Sequence, residues 1–179
     1  MKTVYDFKNS GRTQVKYKQV GNQMVPTKPA GGACFGYSLI WASKMVQGSS
    51  AKLLQPSIVG ALPLQQKVEQ TQGTWDQSVA SIAKGYGFNS ALSKSGYYRS
   101  VIRYIRDNAG FYIVDYGHHW VGMGNDNQTK WYYFDSNEGL LETEDRNDFY
   151  DWVKDDVIDN YKSDGGFKKS MNKAYKITA

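Results

Sequence analysis

The chain has 179 residues, 22% of them charged and 15% aromatic, with 22 basic against 17 acidic side chains and a formal charge of +5. That length is most economically one domain, residues 1–179, since a domain of this size hides roughly 70% of its unfolded surface. No apolar run approaches the roughly 20 residues of a membrane helix, and no spacing matches a zinc or RNA-binding signature, so neither a transmembrane segment nor a nucleic-acid partner is expected.

From the N-terminus, Met1 to Gln14 lacks the apolar core and small-residue cleavage site of a secretory signal, and conventional secretion is not expected. Thr13, Val15 and Tyr17 alternate with Gln14, Lys16 and Lys18, which predicts an exposed edge strand closed by Pro26 and Pro29. In GGACFGYSLIWASKMVQG the apolar residues Tyr37, Ile40, Trp41 and Met45 recur at helical spacing until Gly48. Cys34 therefore opens a buried helix. Ser49 to Gly73 is glutamine-rich and reads as short helix and loop. Thr74 is an N-cap for a helix turning Val79, Ile82 and Ala83 inward and stopping at Gly85 or Gly87. A further helix spans Tyr98 to Asn108 on the stripe Val101, Ile102 and Ile105. The period then changes: FYIVDYG, HHWVGMG and KWYYFD are β-branched and aromatic runs separated by glycine and NDNQ, the pattern of consecutive antiparallel strands. A last amphipathic helix from Arg146 to Tyr161, with Phe149, Trp152, Val153 and Val157 inward, precedes a strand at Ala174 to Ile177. Helices come early and sheet late, so the class is α+β.

Cys34 is the sole cysteine, which excludes an intramolecular disulfide and leaves one thiol to account for. A free thiol has a pKa of about 8.5, yet the thiolate is the form that attacks carbonyls. A helix N-terminus and a neighbouring imidazolium both favour the anion. The chain has two histidines, adjacent at His118 and His119, at the start of a strand. The following strand ends at Asp135, so the hairpin can set an acid against an imidazole and fix its ring by accepting one N–H. Strand alternation puts His119 on the face of Val121 and Met123, and His118 on that of Trp120 as a solvent-facing or substrate-side neighbour. Taken singly, a lone cysteine is a small buried hydrophobe and an aspartate before Ser136-Asn137 a turn former. Together they point to Cys34, His119 and Asp135 as a nucleophile, a base and an orienting acid. Two adjacent histidines and one cysteine make a poor zinc set, and this chemistry needs neither metal nor cofactor.

GGACFGYSLIWASKM resembles the nucleophile segment of the YopT-type bacterial effector cysteine proteases, a papain-like group, and His119 through YYFDSNEG resembles that group's second signature. The resemblance spans roughly Gly31 to Tyr161 and, for the choice of histidine, supports His119. It implies a papain-like fold, with a helical N-terminal half carrying the nucleophile helix packed on a C-terminal antiparallel sheet. It also implies hydrolysis of a peptide bond in a target protein by a Cys34-His119-Asp135 triad. Papain-like enzymes often place an amide five or six residues before the cysteine to line the oxyanion hole, but Lys28 and Pro29 stand there. The nearest upstream amides are Asn22 and Gln23, which leaves the Cys34 backbone N–H as donor and Gln23 as side-chain candidate. A glutamine deamidase or transglutaminase-like enzyme would use the same triad, and a non-enzymatic basic interaction module is a further reading. The lysines near both ends, among them Lys16 and Lys18, suit a protein substrate that is acidic or membrane-associated. The family's habit of acting inside another cell implies delivery by a specialised secretion apparatus; a cytoplasmic enzyme fits the sequence as well.

Overall fold

A computed structural model describes residues 1–6, 17–20, 23–26, 33–48, 56–71, 73–117, 119–156, 161, 167 and 169–179; for residues 5, 6, 17–20, 23–26, 58 and 156 it describes the backbone alone. The elements run β1 (Lys2–Asp6), β2 (Tyr17–Val20), β3 (Gln23–Pro26), α1 (Cys34–Gln47), α2 (Ile58–Gln70), α3 (Trp75–Gly85), β4 (Asn89–Gly96), α4 (Tyr98–Asp107), β5 (Gly110–Asp115), β6 (Trp120–Asn125), β7 (Trp131–Asp135), β8 (Gly139–Thr143), α5 (Arg146–Asp156) and β9 (Asn172–Thr178). Seven strands form an antiparallel sheet in the order β1-β8-β7-β6-β5-β9-β4, and β2 and β3 form a separate two-stranded sheet. The class is α+β, as the change of period predicts.

Central strands β5, β6 and β7 read as almost unbroken apolar runs because helices cover both faces of the sheet. Ile113, Trp120, Tyr132, Phe134 and Leu140 belong to the core beneath α1, α2 and α3. Their sequence neighbours Tyr112, Val114, Val121, Trp131, Tyr133 and Leu141 point the other way, into a second core with α4 and α5. The picture of early helices and late sheet needs correction at the edges. β1 and β4 form the two ends of the order. Lys2–Asp6 and Asn89–Gly96 carry little period-2 apolar signal, because an edge strand needs a ladder partner more than a buried face. The GLLET strand β8 likewise follows directly from the turn after Asp135, where the sequence reading stopped. Of the strand expected around Thr13, Tyr17–Val20 is described and pairs with β3, while Thr13 to Lys16 lie outside the described residues. The last helix is described to Asp156, and residues 157–160 of its expected span lie outside the described residues. Ser49 to Gly73 contains a 13-residue helix, capped by the Ser57 side chain and with Pro63 in its second turn.

Two glycines set how closely α1 seats. A Cβ on Gly122 would lie 2.2 Å from the Trp41 ring, and one on Gly36 would lie 2.0 Å from the Ala61 backbone oxygen. Trp41 therefore lies flat over the sheet, stacked on Phe134 with ring centroids 5.7 Å apart and edge-on to Phe111 at 6.1 Å. Its ring is 1% exposed. The same closeness at Gly36 brings α2 against the first turn of α1. Gly122→Ala is expected to destabilise the chain by about 1–3 kcal/mol through overpacking, seen as a lower midpoint in urea unfolding at unchanged slope.

Candidate active site

The structure brings Cys34, His119 and Asp135 together at one end of the sheet. Cys34 is the first residue of α1, on the face covered by the first core. Asp135 ends β7 two residues beyond Tyr133 and shares its face, opposite to that of the first core, and Gly139 across from it begins β8. His119 immediately precedes β6, and its carbonyl accepts the Tyr116 N–H at 2.9 Å, which closes the tight β5–β6 connection. Standing outside the ladder, its ring can serve both faces. His118 lies outside the described residues.

Nε2 of His119 bonds Oδ1 of Asp135 at 2.9 Å, and the Cys34 thiol lies within hydrogen-bonding reach of the same imidazole. One ring nitrogen is engaged by the acid, so the other, Nδ1, is left for the sulfur. Burial pushes the imidazole down, but the Asp135 charge and hydrogen bond, with a smaller contribution from Cys34, outweigh it and hold His119 well above its ordinary value. Burial likewise pushes Asp135 up, and His119, Tyr161 and the Asn137 N–H outweigh it, leaving the carboxylate below its usual range.

Asp135 is fully buried and takes four donors. Oδ1 accepts His119 Nε2 and the Asn137 N–H at 2.8 Å, and Oδ2 accepts Tyr133 O–H at 3.3 Å and Tyr161 O–H. The turn contact and the histidine contact of this aspartate therefore fall on the same oxygen. Tyr161 also lies flat on the His119 ring, with centroids 4.8 Å apart and planes 22° apart. No sequence signal singled it out beyond its place at the end of the expected last helix; its role depends on the chain returning to the sheet end.

Gln23 begins β3, and its side chain lies outside the described residues. A different amide reaches helix α1. Gln65 of α2 is 6% exposed, and its Oε1 accepts the Phe35 N–H at 2.9 Å. Beside it, Phe35 packs edge-on against Trp120, and Trp120 against Trp75, which is 47% exposed. Among the described residues no cluster of three or more His, Cys, Asp or Glu has metal-binding geometry.

The lowered acid contributes stability that is present above about pH 4 and lost as pH falls through its depressed value. The raised imidazole contributes in full below about pH 6.5 and loses its contribution as pH rises through its elevated value. The stability gap between wild type and Asp135→Asn is therefore expected to be widest, about 3–5 kcal/mol, between those limits and to narrow on both sides. Urea unfolding across pH measures it, and a gap independent of pH would contradict a charged pair. Tyr161→Phe keeps the stacked ring but removes a donor from a buried carboxylate, with an expected loss of about 1–3 kcal/mol in the same measurement.

No protein-family model matches the chain, and no curated protein matches it. Among solved structures it is similar to the Pseudomonas avirulence protein AvrPphB, with 12% identity and a TM-score of 0.65 over 82% of this chain and 92% of that one. A looser likeness, to a double glycine motif protease from an AMS/PCAT transporter in complex with the leader peptide, has 15% identity and a TM-score of 0.37 over 92% of this chain and 95% of that one, too low to carry an inference. The likeness to AvrPphB is one of fold, and it agrees with the papain-like α+β architecture that the sequence resemblance implies.

Proposed function

We propose that the chain is a papain-like cysteine protease that cleaves a peptide bond in a target protein, with Cys34 as nucleophile, His119 as general base and acid, and Asp135 as the orienting acid. The observation that carries this reading is a buried imidazole held by a carboxylate on one nitrogen and facing the only thiol of the chain. In the ion-paired form the sulfur attacks the carbonyl carbon, the carbonyl π pair moves onto oxygen, and the Cys34 backbone N–H at the helix start stabilises the oxyanion. His119 then gives its proton to the leaving amine as the C–N bond breaks. Water, deprotonated by the same ring, resolves the thioester. Asp135 stays ionised throughout and keeps the ring in the productive orientation.

The fold shared with an avirulence protein and the two motifs of YopT type support an effector role, with delivery into another cell by a specialised secretion apparatus. The formal charge of +5 supports an acidic or membrane-associated protein substrate. No described helix is long and apolar enough to cross a membrane.

Incubation of a candidate target with wild type should give two fragments by intact-mass analysis, and Cys34→Ala should leave it whole. An uncut target that has lost ammonia would instead assign the triad to a deamidase, and capture of a partner with no change in mass would assign the chain to binding. Alkylation of Cys34 by iodoacetamide should be at least about 10-fold slower in His119→Ala, since general-base assistance is worth about two to four orders of magnitude. Equal, slow rates would make the thiol an inert core group.

A further inference from the structure

Helix α1 begins without a cap of its own. Its N-cap position is Ala33, which offers no side-chain acceptor, and the first backbone bond is Tyr37 N–H to Ala33 carbonyl at 2.9 Å. The N–H groups of Cys34, Phe35 and Gly36 therefore have no partner within the helix. A serine, threonine or aspartate at position 33 would ordinarily satisfy one of them. Here the acceptor comes from another helix: Gln65 Oε1 takes the Phe35 N–H at 2.9 Å. The amide cannot serve the other way round, because the Phe35 N–H requires an acceptor and Gln65 Nε2 donates to Glu69 Oε1 at 2.8 Å. Gln65 reaches this position because Gly36 lets the α2 backbone at Ala61 come against the first turn.

We infer that Gln65 is a positioning residue for the oxyanion hole, capping α1 from α2 so that the Cys34 N–H stays free and fixed for the developing oxyanion. This inference rests on the thiol-hydrolase reading of the site. Two consequences of the trans cap favour the chemistry. The acceptor is uncharged, so unlike an aspartate cap it sets no negative charge against the sulfur or the oxyanion. It also engages the second N–H of the helix and not the first. Glu69, exposed on the next turn, holds the amide in its orientation.

The test compares two small reagents on the full chain. Iodoacetamide alkylates Cys34 by displacing iodide from a saturated carbon and forms no oxyanion. p-Nitrophenyl acetate acylates it through a tetrahedral oxyanion and releases p-nitrophenolate. Gln65→Met keeps the volume and loses the acceptor; its acylation rate should fall by about 10-fold, below the loss of about 100-fold or more on removing a hole donor outright, while alkylation stays within about 2-fold. Glu69→Ala, at an exposed position, should show a smaller selective loss of acylation, about 2- to 5-fold, as the amide loses its anchor. Parallel loss of both reactions in Gln65→Met would make the residue merely structural, and unchanged acylation in Gln65→Met and Glu69→Ala would also overturn the inference. Failure of the underlying reading looks different: wild-type Cys34 would react with neither reagent faster than it does in His119→Ala, and the positioning role would fall with it.

Discussion

The fully buried carboxylate of Asp135 is the constraint on which the site depends. A lone carboxylate in such surroundings costs several kcal/mol, and the cost is met by four donors: an imidazole, a backbone N–H and two phenols. Each donor comes from a different stretch of chain: the β5–β6 connection, the turn after β7, β7 itself, and the segment after α5. The acid thus ties the ends of the central strands to a distant aromatic residue, and all of them must be in place before it can stay ionised. Once ionised, it raises His119 above its ordinary value against the opposing pull of burial.

A second constraint is steric. The imidazole is anchored from the second-core face of the sheet, while the cysteine belongs to the first-core face. They meet only because α1 lies close to the strands and its N-terminus reaches the sheet end. Gly122 beneath Trp41 and Gly36 against Ala61 make that approach possible, and the stack of Trp41 on Phe134 sets the height of the helix above β7. Packing in the middle of the molecule therefore determines the distance between sulfur and ring at its end. Trp120, next in sequence to His119, continues this packing into Phe35, next in sequence to Cys34, so the backbones carrying the two groups are braced against each other by their neighbours.

Much of this was legible in the sequence. The period-3.6 stripes of α1, α3 and α4 and the aromatic runs of β5, β6 and β7 marked the central elements, because each has to bury a face and so must repeat its apolar residues at the spacing of its backbone. The grouping of Cys34, His119 and Asp135 was legible because the chain has one thiol and two adjacent imidazoles, and because an acid at the end of the next strand is a short-range relation that a hairpin converts directly into contact. Edge strands β1 and β4 were not legible, since their order derives from hydrogen bonds to β8 and β9. Such bonds use the backbone, which every residue carries.

Sequence by itself determined the α+β class, the helix that Cys34 opens, and the pairing of His119 with Asp135, all matters of local periodicity or of neighbouring strands. Only the tertiary structure decided that Tyr161 covers and bonds the pair, that Gln65 caps α1 from another helix, and that the imidazole reaches across the end of the sheet to the thiol. Gln65 follows Cys34 by 31 positions, and Tyr161 follows Asp135 by 26. Over such separations no backbone period relates two side chains; their meeting depends on how closely helix packs on sheet, and so on glycines and aromatic rings far from the site they serve.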